Sequence, residues 1–113
     1  MFQLTKKLDA ILIHGYWLSQ KGESNPATLS LRSQLNAEAG SILVRDTQFF
    51  ILTAGSVWGK NYPSVAKLMA NELHVKHRVP KDKIIIMDQA INTKEEIDIF
   101  LDLARKKNWE NIA

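Results

Sequence analysis

The chain has 113 residues, 45% hydrophobic and 24% charged, the size and balance of one globular domain, and two domains, a collagen-like repeat or a disordered tail do not fit. Fifteen Lys and Arg against twelve Asp and Glu leave a formal charge of +3, far below the basic footprint that implies a nucleic-acid partner, and none is expected. There is no cysteine, so disulfide and thiolate chemistry are excluded and a cytoplasmic setting is expected. Apolar runs are only a few residues long and Met1 to Ala10 is charged, so neither a membrane span nor a signal peptide is expected.

Ala10 to Ile13 (AILI) is a continuous apolar run closing on His14-Gly15, the pattern of a strand buried on both faces. Tyr16 to Asn25 is polar and turn-rich, with Asn25 as the expected N-cap and Pro26 in the first helical turn. Leu31, Leu35, Ala39 and Ile42 recur at helical spacing, which predicts an apolar face on a helix from about Ala27 to Val44. Gly40 is read as interior to it, with a stop at Gly40 as the alternative. Phe49 to Thr53 (FFILT) predicts a second strand closing on Ala54-Gly55. Beyond a loop with Gly59 and Pro63, the stripe Val65, Leu68, Met69, Leu73 predicts a second helix to about His74.

Val79-Pro80-Lys81-Asp82 breaks the chain before a third strand, Lys83 to Met87 (KIIIM). Thr93 starts a third helix with apolar face Ile97, Phe100, Leu101 and Ala104, and Thr93 and Glu96 match a T-x-x-E capping box. Arg105, Lys106 and Lys107 fall in its last turn, where the helix dipole favours cations. Trp109-Glu110-Asn111 reads as a turn and Ile112-Ala113 as the opening of a fourth strand. The order of elements predicts an α/β fold, a three-layer Rossmann-like parallel sheet with right-handed crossovers. Three strand-helix units use nearly all of the length, so the expectation is a single domain truncated at its C-terminus.

In open parallel sheets, ligands bind outside the carboxyl ends of the strands. That rule selects His14, Gly15 and Tyr16 after the first strand, Thr53, Ala54, Gly55 and Ser56 after the second, and Asp88, Asn92 and Thr93 after the third. Helix N-termini gathered there would favour a phosphate or carboxylate. His14 is a candidate acid, base or hydrogen-bond donor, or else a histidine satisfied by loop carbonyls. Gly55 permits close backbone approach, and Thr53 and Ser56 add hydroxyls, though an ordinary strand-to-loop turn has the same composition. Asp88 could orient a ligand hydroxyl or simply cap a turn. Asn92 and Thr93 also suit capping, and Arg32 either reaches an anion or lies solvated on its helix. Trp17 and Trp58 would wall a pocket or pack over the domain edge.

His74 and His77, with Lys76, Arg78, Lys81 and Lys83, form a basic stretch on the side opposite this crevice. Cations there complement a helix C-terminus, and no metal site is expected. Ile11 to Trp17 (ILIHGYW) resembles the HG segment of α/β-hydrolase oxyanion holes, but no G-x-S-x-G elbow accompanies it, since Gly55-Ser56-Val57-Trp58-Gly59 sets serine one place early. Neither G-x-G-x-x-G nor G-x-x-x-x-G-K-[ST] occurs.

Several stretches in order resemble the ElyC/SanA/YdcF-like family of uncharacterised bacterial α/β domains. They are the first strand ending near Gly15, Leu29-Ser30-Leu31-Arg32, Phe50 to Gly55, Pro63 to Met69, Val79 to Ile85 and Ile91 to Glu96. Gly15, Arg32, Thr53, Gly55, Ser64, Ala66, Asn92, Thr93 and Glu95 agree with the family pattern. His14 and Tyr16 stand where small residues are usual, Ala54 replaces a glycine, Val65 a glutamate and Glu96 an asparagine. The family pattern continues into a fourth strand and a T-S-x-x-H-x-x-R-A-like segment not present here, so the resemblance implies a fragment or a degenerate member. It also implies a Rossmann-like fold, a small anionic or nucleotide-like ligand, no established reaction or cofactor, and for some members a link to cell-envelope integrity. Two other functions stay open: a hydrolase or transferase acting on a phosphorylated or nucleotide substrate, and an interaction module or homo-oligomer pairing through an unpaired edge of the first strand.

Overall fold

The computed structural model describes residues 7–15, 18–19, 28–55, 64–90 and 92–113. Its elements are β1 (Leu8–Ile13), β2 (Leu18–Ser19), β3 (Thr28–Leu29), α1 (Leu31–Ser41), β4 (Thr47–Ala54), α2 (Val65–Asn71), β5 (Ile84–Ala90) and α3 (Thr93–Lys107). β1, β4 and β5 form a parallel sheet in the order β1-β4-β5, and β2 and β3 pair antiparallel as a separate ribbon. The fold is α/β and Rossmann-like, with helices between the strands. Among the described residues no helix is long and apolar enough to cross a membrane.

Strand side chains point alternately to opposite faces, and that alternation divides the core in two. Ile13, Phe50, Leu52 and Ala54 face one side, where Ala37 of α1 and Val65, Ala66 and Met69 of α2 complete a buried cluster. Ala10 and Ile51 face the other, where Phe100 of α3 covers them with Leu12, Phe49 and Ile85 around it. Phe49 also stacks on Trp109, centroids 5.5 Å apart. Burial on both sheet faces explains the unbroken apolar strand segments.

The first helix departs from expectation. It begins at Leu31 behind the N-cap Ser30, whose hydroxyl accepts from Ser33 N–H, and residues 28–29, expected to be helical, are extended. Asn25 and Pro26 lie outside the described residues. The predicted apolar face is also turned outward, with Leu31, Leu35 and Ile42 exposed. The inward residues are Ser33, Ala37 and Gly40, small ones that let the helix lie close to the sheet. A Cβ on Gly40 would stand 2.5 Å from Ile13 Cδ1. Gly40 is interior to the helix as expected.

The second helix follows its predicted stripe, then widens into a π-helical turn over Glu72–Lys76 and ends at Arg78, whose φ is +58°. In α3 the inward stripe is Glu96, Phe100 and Ala104, while Ile97 and Leu101, assigned to the apolar face, are partly exposed. Its C-terminus closes at Asn108 in the left-handed region, with Trp109 N–H donating to the Ala104 carbonyl.

Past α3 the chain returns to the sheet. Ile112 pairs in parallel with Ala10, Asp9 N–H donates to Asn111 O at 2.7 Å and Leu12 N–H to Ala113 O at 2.8 Å. Ile112 thus makes an isolated parallel bridge to β1 at the position expected for a further strand of the sheet. The β1 edge is therefore not left unpaired, because the chain's own residues occupy it between Asp9 and Leu12. The Asp9 carboxylate fastens the turn by accepting from the N–H groups of Glu110 at 2.8 Å and Asn111 at 3.1 Å.

Those backbone hydrogen bonds hold the Asp9 carboxyl below its ordinary value. A carboxylate with a depressed folded-state value stabilises at every pH above the unfolded value, and the contribution is lost as pH falls through the folded one. Hydrogen-exchange protection of Glu110 and Asn111 should therefore be constant from neutrality down to about pH 4 and fall below it. Protection that persists unchanged to pH 2 would show that the carboxylate does not hold this turn.

Candidate ligand site at the carboxyl end of the sheet

Period-two alternation determines which predicted residues meet. On β1, Ala10 and Leu12 face α3, and the next residue of that parity is His14. On β4, Phe49 and Ile51 face α3, and the next is Thr53. The register pairs Ile13 with Leu52, so His14 and Thr53 leave the sheet side by side beneath the first turn of α3. Glu96 enters there as the N-terminal member of the Glu96, Phe100, Ala104 stripe.

The three side chains form one polar cluster. Thr53 is fully buried and Glu96 is 5% exposed, and the Thr53 hydroxyl donates to Glu96 Oε1 at 3.0 Å. His14 Nδ1 stands 3.6 Å from the same oxygen. That nitrogen is buried without a hydrogen-bond partner among the described residues, although the His14 side chain as a whole is 42% exposed. The His14 carbonyl is itself fixed by Asn36 Nδ2 of α1 at 2.9 Å.

A second pair lies where β5 meets α2. Ser64 is the N-cap of α2, accepting from Lys67 N–H at 3.1 Å while its hydroxyl donates to Asp88 Oδ2 at 2.7 Å. Asp88 therefore anchors the start of a helix. Gly55 lies between β4 and α2 with both backbone groups engaged, its N–H to Ala90 O and its carbonyl from Val65 N–H, each at 3.1 Å. A Cβ there would stand 2.4 Å from Ala90 O, so the glycine admits the neighbouring strand. Gly15 is similar, since a Cβ on it would stand 2.4 Å from Val65 Cγ1 and 2.6 Å from Ala54 Cβ.

At the start of α3 the cap is Asn92 rather than Thr93. Asn92 Oδ1 accepts from Glu95 N–H at 2.8 Å and Asn92 Nδ2 approaches Glu95 Oε2 at 3.3 Å, so the reciprocal cap is Asn92-x-x-Glu95, one residue earlier than the Thr93 and Glu96 box. This shift frees Glu96 to turn inward. Thr93 is exposed at the first turn of α3, and Arg32 is exposed at the first turn of α1. Ser56, Tyr16, Trp17 and Trp58 lie outside the described residues.

Two residues of the site, Glu96 and Ser64, were not among the sequence candidates. The signal for Glu96 is its position four residues before Phe100 and eight before Ala104, on the same face of the helix. The signal for Ser64 is its place immediately before the Val65 stripe, where a hydroxyl residue caps a helix. The basic stretch at His74 to Lys83 lies at the other end of the sheet. There His74 Nδ1 is 2.9 Å from the Val79 carbonyl, and Lys83 Nζ donates to the carbonyls of Val44 and Thr47 at 3.0 Å each.

Replacing Thr53 by Val removes the donor and leaves a buried carboxylate oxygen without it, which costs about 1–3 kcal/mol. Urea unfolding should show that loss for Thr53→Val and less than half of it for Thr53→Ser, which keeps the hydroxyl. Equal effects of the two would mean that Thr53 contributes only packing. No family model, no curated protein and no solved structure matches this chain.

Proposed function

We propose that the chain is a small-molecule-binding α/β domain of the ElyC/SanA/YdcF-like kind, taking an anionic, nucleotide-like ligand at the carboxyl ends of β1, β4 and β5. The observation that carries this reading is the convergence of His14, Thr53 and Glu96, from two strands and a helix, in the region where parallel sheets receive ligands. A part-exposed imidazole over a buried hydroxyl and carboxylate is a costly arrangement for packing alone, because unpaired polar groups under a sheet oppose folding. The first turn of α3 adds backbone N–H donors at Thr93 and Lys94, suited to the anionic group.

The acceptors sharpen the choice of ligand. Glu96 and Asp88 both bring carboxylates to this end of the sheet, so a bare inorganic anion is a poorer partner than a molecule that also carries hydroxyl or amino donors. A nucleotide combines the two. The departures from the family pattern fit an altered ligand. Val65, where the family has glutamate, is core here, and a carboxylate enters instead at Glu96, where the family has asparagine. A cysteine-free chain suits a cytoplasmic setting.

Titration of 15N-labelled protein with AMP, GMP and inorganic phosphate tests the proposal. The nucleotides should shift the amides of His14, Thr53, Gly55, Thr93 and Lys94, at concentrations where phosphate shifts only Thr93 and Lys94. Shifts confined to His74 through Lys83 would reject this crevice as the site.

A further inference from the structure

We infer that Glu96, held by Thr53, fixes His14 in the Nδ1–H tautomer, so that Nε2 is the proton acceptor of the crevice and takes a ribose-type hydroxyl of the ligand. The inference rests on the crevice being the ligand site and specifies what one of its side chains does there.

The first step concerns the buried nitrogen. His14 Nδ1 is shielded from water and has no hydrogen-bond partner among the described residues, and buried polar atoms are rarely left so. The nearest acceptor is Glu96 Oε1 at 3.6 Å, outside hydrogen-bond range but within reach of a small ring movement. A ring that is 42% exposed has room for that movement, and hydrogen bonds of this kind are often long before a ligand covers them.

The second step concerns the carboxyl group. Thr53 Oγ1 donates its one hydrogen to Glu96 Oε1, and an oxygen that accepts from a hydroxyl is arranged to accept again, from Nδ1–H. The neutral imidazole carries a single proton, and the partner of one nitrogen decides the character of the other. With the proton on Nδ1, the lone pair is on Nε2. Since Nδ1 is the shielded side of a part-exposed ring, Nε2 lies toward the open side.

The chemistry follows from that placement. Nε2 accepts a hydrogen bond from a ligand O–H. If the proton transfers, it passes to Nε2 and its bonding pair stays on oxygen, leaving an alkoxide beside an imidazolium whose Nδ1–H faces Glu96. Glu96 and Thr53 act through the ring and are positioning residues, and of the three side chains His14 is the one that meets the ligand. The arrangement parallels the carboxylate that orients histidine in hydrolytic triads, with the hydroxyl supplied by the ligand instead of the protein.

Long-range 1H–15N correlation spectra of the imidazoles, at a pH where the rings are neutral, test the assignment. His74 is an internal reference, since its Nδ1 faces a carbonyl, which can only accept. His14 should show the Nδ1–H pattern in the wild-type protein and change to Nε2–H in Glu96→Met, with His74 unchanged in both. An Nε2–H pattern in the wild type, or no change in Glu96→Met while His74 shows the fold intact, overturns the inference.

Addition of AMP should then move the His14 Nε2 resonance, and 2′,3′-dideoxy-AMP should not. If AMP shifts the crevice amides but leaves Nε2 in place, the hydroxyl acceptor role fails and the binding reading stands. If neither nucleotide shifts any crevice amide, the binding reading fails and takes the acceptor role with it, whatever the tautomer.

Discussion

A hydrogen bond between two groups that are both out of water, Thr53 Oγ1 and Glu96 Oε1, ties the central strand to the first turn of the last helix. A carboxyl group placed under a sheet without partners opposes folding by several kcal/mol. The elements on either side of this bond are themselves held in place. β4 is central in the sheet and so cannot shift, and α3 is pinned by Phe100 against Ala10 and Ile51. The cap at Asn92 then determines the rotation of the helix, and with it the direction of Glu96. His14 completes the cluster because β1 runs parallel to β4 in a register that brings their carboxyl ends level.

This dependence gives the two faces of the sheet different tasks at its carboxyl end. On the face of α1 and α2, the described residues beside the strand ends are engaged in structural contacts: Ser64 to Asp88, Gly55 to Ala90, and glycine contacts at Gly15 that leave no room for a side chain. On the face of α3, the polar groups point into a part-open cluster in which one imidazole nitrogen has no hydrogen-bond partner among the described residues. The proposed ligand would meet glycine backbone and a capped helix start on one side and the His14, Thr53 and Glu96 cluster on the other. Such a division would suit the proposed recognition, because groups already held by hydrogen bonds cost little further ordering on binding.

The three strands of the parallel sheet were legible because burial on both faces gives short apolar runs, as in AILI, FFILT and KIIIM, whereas the two-residue strands β2 and β3 carry no such run. His14 and Thr53 were legible as candidates from their places at the carboxyl ends of two parallel strands, and it is the period-two alternation that sets them side by side on the α3 face. Helix α1 departs from its hydropathy pattern, because size and not hydropathy decides which side of a closely packed helix faces the sheet. Ser33, Ala37 and Gly40 fit beneath it, and Leu31, Leu35 and Ile42 do not. Glu96 was hidden by a local coincidence: Asn92-Thr93-Lys94-Glu95-Glu96 contains two overlapping capping patterns, and the extended backbone of Asn92 with its side chain on Glu95 N–H marks the one that forms. Once that pattern wins, the second glutamate is left for the interior.

The coupling of Thr53 and Glu96 across the sheet and helix is the central claim, and a double-mutant cycle measures it most directly. Urea unfolding of the wild type, Thr53→Val, Glu96→Met and the double variant should give a coupling energy of about 1 kcal/mol or more, as for buried partners in direct contact. Additivity within about 0.3 kcal/mol, the behaviour of independent sites, would contradict the account by showing that the two side chains do not depend on each other.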